Sequence, residues 1–120
     1  MDWVNEHGNI INNNDFPYLN VFNVENKTRF EWLRHFSSKG NCLCHPCSLI
    51  HSECYEDIGM LNPAYACIPD FDLWIRICLK YNIAVLDQRL IRFRRMCNES
   101  NASGHTNTNR IRNKNEYRQV

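Results

Sequence analysis

Two carboxylates, Asp70 and Asp72, lie in the run Pro69-Asp70-Phe71-Asp72-Leu73-Trp74-Ile75-Arg76, directly behind a proline and at the head of a nearly apolar segment. A carboxylate at a helix N-terminus accepts backbone N–H groups and is favoured there by the helix dipole. The same group can take a proton from a hydroxyl nucleophile that comes within hydrogen-bond reach. The two uses compete, because capping weakens a carboxylate as a base while burial against an aromatic ring strengthens it. From sequence, Asp70 is therefore a helix cap, a general base, or both. Asp72 stands four residues before Arg76, the spacing of a helical ion pair.

A second group with chemistry is Cys42, Cys44, His45, Cys47, His51 and Cys54. Cys44-His45-Pro46-Cys47 is a Cys-x-x-Cys, and with His51 and Cys54 it raises the question of a tetrahedral zinc site. The spacing fits such a site poorly, since a second ligand pair usually lies further along. A redox dithiol is expected ahead of a helix, whereas an apolar, strand-like run follows here. The expected role of these cysteines is as small thiols packed in a strand, with no metal. Arg89, Arg92, Arg94 and Arg95 form a basic group. On a strand, Arg92 and Arg94 share one face. They read equally as a phosphate clamp and as the protected edge of a sheet. The chain has no glycine-rich phosphate loop, no Gly-x-Ser-x-Gly and no His-Glu-x-x-His.

These residues need elements to hold them. Asp70 to Tyr81 is the clearest helix, with Pro69 just outside it and so many apolar positions that it should be buried on most sides. Asn26 is a candidate cap for a helix through about Phe36, with Phe30, Leu33 and Phe36 on one stripe. Gly40 ends that region. Cys42 to Ile50 reads as a strand that Pro46 confines to an edge or bulge. Ser52 to Ile58 is a short helix closed by Gly59, and Asn62-Pro63 marks a turn. Ile83 to Leu86 reads as a buried strand, turned at Asp87-Gln88 into a second strand from Arg89 to Arg95. Residues 1–25 are asparagine-rich, with one or two short strands at pieces such as Tyr18 to Phe22. After Met96 the chain is polar and reads either as loose chain or as the start of a helix near Asn109.

The chain has 120 residues, enough for one modest core. Its 43% hydrophobic and 12% aromatic content belongs to a globular protein. A net charge of +1 gives no general attraction to nucleic acid or to a membrane surface. No apolar run is as long as a membrane span, and Met1-Asp2-Trp3-Val4-Asn5-Glu6 lacks a signal-peptide pattern, so the expected location is cytoplasmic. Seven cysteines, an odd number, fit reduced thiols better than a disulfide framework.

Read in order, these pieces resemble the second half of the family 2 glycosyltransferases. Asn26 to Phe36 looks like the helix before the acceptor region. Gly40-Asn41-Cys42-Leu43-Cys44-His45-Pro46-Cys47 resembles a Gly-Asn-x-x-x-His-Pro-Ser strand, with Cys47 where serine is common. Tyr55-Glu56-Asp57-Ile58-Gly59 resembles a Tyr-x-x-x-Gly turn. Pro69 to Arg76 looks like a Glu-Asp-x-Asp-Leu-Trp-x-Arg helix, with proline in place of the glutamate. Leu90 to Arg94, followed by Asn98-Glu99-Ser100, is similar to the closing strand. The likeness covers about residues 26–104.

The resemblance implies an α/β protein with partial GT-A, Rossmann-like architecture: a short mixed sheet and about three helices. Residues 1–96 would be the C-terminal half of such a domain, and residues 97–120 a polar tail starting a truncated helix. It implies Asp70 as the base that deprotonates a hydroxyl acceptor. His45, Trp74, Asp72 and Arg76 would bind or support that acceptor, with Arg92 and Arg94 as candidate phosphate contacts. The intact enzyme would use a nucleotide-sugar donor and a divalent metal, Mg or Mn, but no cofactor is expected in this portion. The donor-binding half and its Asp-x-Asp metal motif have no counterpart upstream of the matched region, so this portion alone is expected to be inactive. The alternative reading is a non-catalytic module that self-associates, for instance as a homodimer, to cover apolar surface. A small zinc-binding module is the third.

Overall fold

In a computed structural model describing residues 1–11, 17–94 and 107–120, the chain is a mixed α/β protein. Its described elements, in order, are strand β1 (Asp2–Val4), a 3-10 helix (Pro17–Phe22), helix α1 (Arg29–Lys39), a 3-10 turn (His45–Cys47), helix α2 (Ser52–Ile58), helix α3 (Pro69–Lys80), strand β2 (Arg92–Arg94) and helix α4 (Asn107–Glu116). Among the described residues no helix is long and apolar enough to cross a membrane.

Helix α3 is the centre of the core. Pro69 is its first residue rather than its neighbour, a position where proline's missing N–H and fixed φ are both tolerated. The helix buries Phe71, Trp74 and Cys78 at i, i+3 and i+7, a face widened by the buried Leu73 and Ile77. Burial stops short of the whole circumference: Leu79 is 61% exposed. Helix α1 lies against this face through Trp32 and Phe36, whose rings stack at 5.6 Å. Phe36 meets Phe71 edge-on at 5.7 Å. Each fully buried aromatic or aliphatic side chain of this kind contributes roughly 1.5–3 kcal/mol.

The cap of α1 is Thr28, not Asn26. Thr28 and Glu31 form a reciprocal capping box, in which the Thr28 N–H donates to the Glu31 carboxylate at 2.8 Å and the Glu31 N–H donates to Thr28 Oγ1 at 3.4 Å. The inward stripe accordingly carries Trp32 and Phe36, while Phe30 is 72% exposed. Asn26 is used over a much longer range. Its side chain pairs with both backbone groups of Val85, donating to the carbonyl at 2.7 Å and accepting from the N–H at 2.5 Å. The Trp32 indole donates to the Ile83 carbonyl nearby at 3.4 Å. These side chains stand where a neighbouring strand would: residues 83–86 alternate half-buried and exposed, but they form no strand in the described structure.

The segment Cys42 to Ile50 is not a strand either. Pro46 removes a ladder donor, and the chain instead closes a 3-10 turn over His45–Cys47. Tyr18 to Phe22 lies in a 3-10 helix. The sheet is two short parallel strands, with Asp2 opposite Arg92, Trp3 opposite Phe93 and Val4 opposite Arg94. Trp3 packs on Phe93 at 4.9 Å and on Phe22 at 6.1 Å, a small cluster apart from the α1–α3 core. Helix α2 and the turn at Asn62-Pro63 match expectation, and a helix does form in the polar C-terminal region.

The Asn26 clasp predicts a selective effect. Asn26→Ala should strip hydrogen-exchange protection from the Val85 amide while leaving α1 intact, whereas Thr28→Ala should fray α1 and lower stability by about 1 kcal/mol in urea unfolding.

Candidate functional site

The N-terminus of α3 is where the chemistry gathers. Its capping position is Ile68, which has no side chain able to accept a hydrogen bond. Asp70 is therefore not the N-cap that its sequence position invites; it lies within the first turn. The entering backbone is satisfied instead by Glu116, the last residue of α4. Its carboxylate accepts the N–H groups of Ala66 at 3.0 Å, Cys67 at 2.9 Å and Ile68 at 3.1 Å. Glu116 is only 6% exposed. Burial raises its pKa, but the three N–H donors, aided by Arg112, outweigh that and hold the carboxyl below its ordinary value of 4.5.

Asp70 points both carboxylate oxygens at defined partners. Oδ1 accepts the Phe71 N–H at 2.9 Å, and Oδ2 accepts Asn41 Nδ2 at 3.1 Å. The Asn41 amide cannot flip without loss, because its Oδ1 already accepts the Leu43 N–H at 3.1 Å. Gly40 delivers Asn41 to this place with φ 81° and ψ −162°, a conformation almost confined to glycine. Tyr117 closes the same corner: its ring lies 5.1 Å from that of Phe71. Burial pushes the Tyr117 phenol's pKa up, the nearby Asp70 charge adds to this, and the Asn41 backbone N–H opposes it.

One turn along, the ring of His45 sits tilted against Trp74 at 6.0 Å. Trp74 is buried, and its indole N–H has no hydrogen-bond partner among the described residues. Asp72 and Arg76 pair as their spacing requires, at 2.8 Å and 2.9 Å. Arg76 does more than balance that charge. Its guanidinium also donates to the carbonyls of Ile58 (2.6 Å), Gly59 (3.3 Å) and Met60 (2.9 Å), satisfying the C-terminal end of α2. Gly59 gives the required turn at φ 82° and ψ 169°.

The structure thus brings three sequence pieces to α3: Gly40-Asn41 to Asp70, His45 to Trp74, and the end of α2 to Arg76. It leaves Arg92 and Arg94 elsewhere. Both are exposed on β2, in the ladder with β1, where Arg94 donates to the Glu6 carbonyl at 3.2 Å. Arg95 and Asn98 to Ser100 lie outside the described residues. Among the described residues, no three His, Cys, Asp or Glu side chains converge as a metal-ligating group. Among the described residues the cysteines are free, and of these only Cys42 and Cys78 are buried. Burial pushes each of those two thiols up to about 11.

Sequence reasoning did not single out Asn41, Tyr117 or Glu116 as site residues. Asn41 had a local signal in the Gly40-Asn41 pair. Glu116 and Tyr117 had none, since their partners lie far away in sequence. No known protein family, curated protein or solved structure matches this chain.

The Glu116 clasp makes stability depend on pH. Its lowered folded pKa means that its contribution is complete above 4.5 and is lost as pH falls below that through the folded value. Glu116→Gln should lower stability at neutral pH by roughly 2 kcal/mol, and the variant should lose part of the acid-induced decline seen in the parent. Urea unfolding between about pH 7 and pH 3 checks both. Equal acid sensitivity in the two proteins would contradict the assignment.

Proposed function

We propose that this chain is the acceptor-side portion of a GT-A-type glycosyltransferase, with Asp70 as the base that deprotonates a hydroxyl acceptor. One observation carries the reading: three of the separated pieces that resemble family 2 glycosyltransferases meet on one helix, and the Gly40-Asn41 piece reaches the carboxylate the resemblance designates. Asn41 orients that carboxylate, and Trp74 with His45 supplies an aromatic wall beside it. Asp72 is committed to Arg76, which leaves Asp70 as the carboxylate of this pair without an ionic partner among the described residues.

The reaction is transfer of a sugar from a nucleotide-sugar donor with inversion at the anomeric carbon. The acceptor oxygen attacks as Asp70 takes its proton and the nucleotide departs. Asp70 Oδ2, fixed by Asn41, keeps lone-pair capacity for the incoming hydroxyl. The divalent metal that the resemblance implies has no fitting ligand set here, since Asp70 accepts from Asn41 and Asp72 from Arg76. The metal, the donor and the diphosphate would therefore be held by a donor-binding half outside this sequence. Arg92 and Arg94 remain candidate phosphate contacts across the join to that half.

Two outcomes follow. The 120-residue chain alone should neither transfer nor hydrolyse nucleotide sugars. Once a donor-binding half is supplied, Asp70→Asn should lower transfer by about 10²–10⁴-fold with donor affinity unchanged. Asp72→Asn should act mainly on stability, through Arg76. Near-normal turnover in Asp70→Asn would remove Asp70 from the mechanism.

A further inference from the structure

The Cys44-His45-Pro46-Cys47 turn holds two thiols that the proposed transfer chemistry does not use. Cys44 caps the turn in an extended conformation (φ −88°, ψ 108°), and the Cys47 N–H closes it by donating to the Cys44 carbonyl at 2.9 Å. The ends of such a four-residue turn lie within about 7 Å between Cα atoms. A disulfide spans about 4.4–6.8 Å between Cα atoms, so the backbone is already within its range. The two thiols are close enough that Cys47 helps raise the Cys44 pKa, and the Cys47 thiol also reaches Met1 Sδ at 3.4 Å.

We propose that Cys44 and Cys47 form a reversible dithiol–disulfide pair, oxidised by a low-molecular-weight disulfide such as oxidised glutathione. The two cysteines have different roles. Cys47 is exposed and is the sulfur an outside disulfide can reach. Cys44 is half-buried; burial first, then the neighbouring Cys47 thiol, pushes its thiol up to about 12, so it does not lead the attack.

In the first step the Cys47 thiolate attacks one sulfur of oxidised glutathione. The glutathione S–S bond breaks, one glutathione leaves as its thiol, and Cys47 carries a mixed disulfide. In the second step Cys44 gives its proton to solvent and its sulfur attacks Cys47 Sγ, expelling the second glutathione. Two protein thiols become one disulfide while one glutathione disulfide becomes two thiols, so electrons and protons balance. His45 lies within this turn and against Trp74, so closing the ring alters the wall beside Asp70.

The test uses the full 120-residue chain in glutathione redox buffers, quenched by alkylation and read by peptide mass spectrometry. A Cys44–Cys47 disulfide should dominate in oxidised buffer and revert fully in reduced buffer. The Trp74 indole NMR resonance should shift in step with it. Cys44→Ser should trap glutathione on Cys47, and Cys47→Ser, at an exposed position, should leave Cys44 unmodified. Three results would overturn the proposal: stable glutathione on Cys47 in the parent chain, oxidation confined to Cys54 or Cys67, or disulfides joining Cys44 or Cys47 to other cysteines.

Discussion

The arrangement rests on how the start of α3 is satisfied. A helix whose capping residue is Ile68 cannot cap itself, and its entry loop carries backbone donors close to the core. Glu116 meets three of them with one carboxylate. That bond fixes two things together. It holds the loop that sets where Asp70 emerges, and it docks α4 so that Tyr117 covers Phe71 beside Asp70. A buried carboxylate with neutral donors is stabilising only when the donors are well placed, which makes the geometry at α3 unforgiving.

The far side of α3 uses the opposite charge in the mirror-image way. Arg76 collects the carbonyls at the end of α2 as Glu116 collects the N–H groups before α3. Further along, Lys80 and Tyr81 both bind Asp57, at 2.7 Å and 2.9 Å, fastening α2 again. One helix therefore organises its neighbours by its apolar face and by charges at both ends. The short sheet takes little part, and its Trp3–Phe93–Phe22 cluster stands apart from this core.

Much of this was legible where signals are local. The proline and apolar spacing mark α3, Gly40 and Gly59 mark helix ends, and Asp72–Arg76 follows from helical spacing. The errors come from side chains with competing uses. Asn26 has a capping residue's chemistry but spends it on Val85, and Thr28 takes the cap. Asp70 sits where a cap would, yet Pro69 begins the helix and moves the cap to Ile68. Cys42 to Ile50 is apolar enough for a strand, but with Pro46 it closes a turn. The Glu116 contacts were not legible at all, because no local pattern announces a partner so distant in sequence. The proposed glycosyl-transfer role rests on the convergence of motifs at α3.

That role implies that the corner formed by Asn41, Asp70 and Trp74 meets a hydroxylated ligand. The direct measurement is an NMR titration of the chain with a panel of mono- and oligosaccharides, following backbone and side-chain amides. The account predicts saturable shifts at Asn41, Asp70 and Phe71, reduced in Asp70→Asn, with the amides of β2 unmoved. No saturable shift at the start of α3 with any sugar, or shifts confined to Arg92–Arg94, would contradict it.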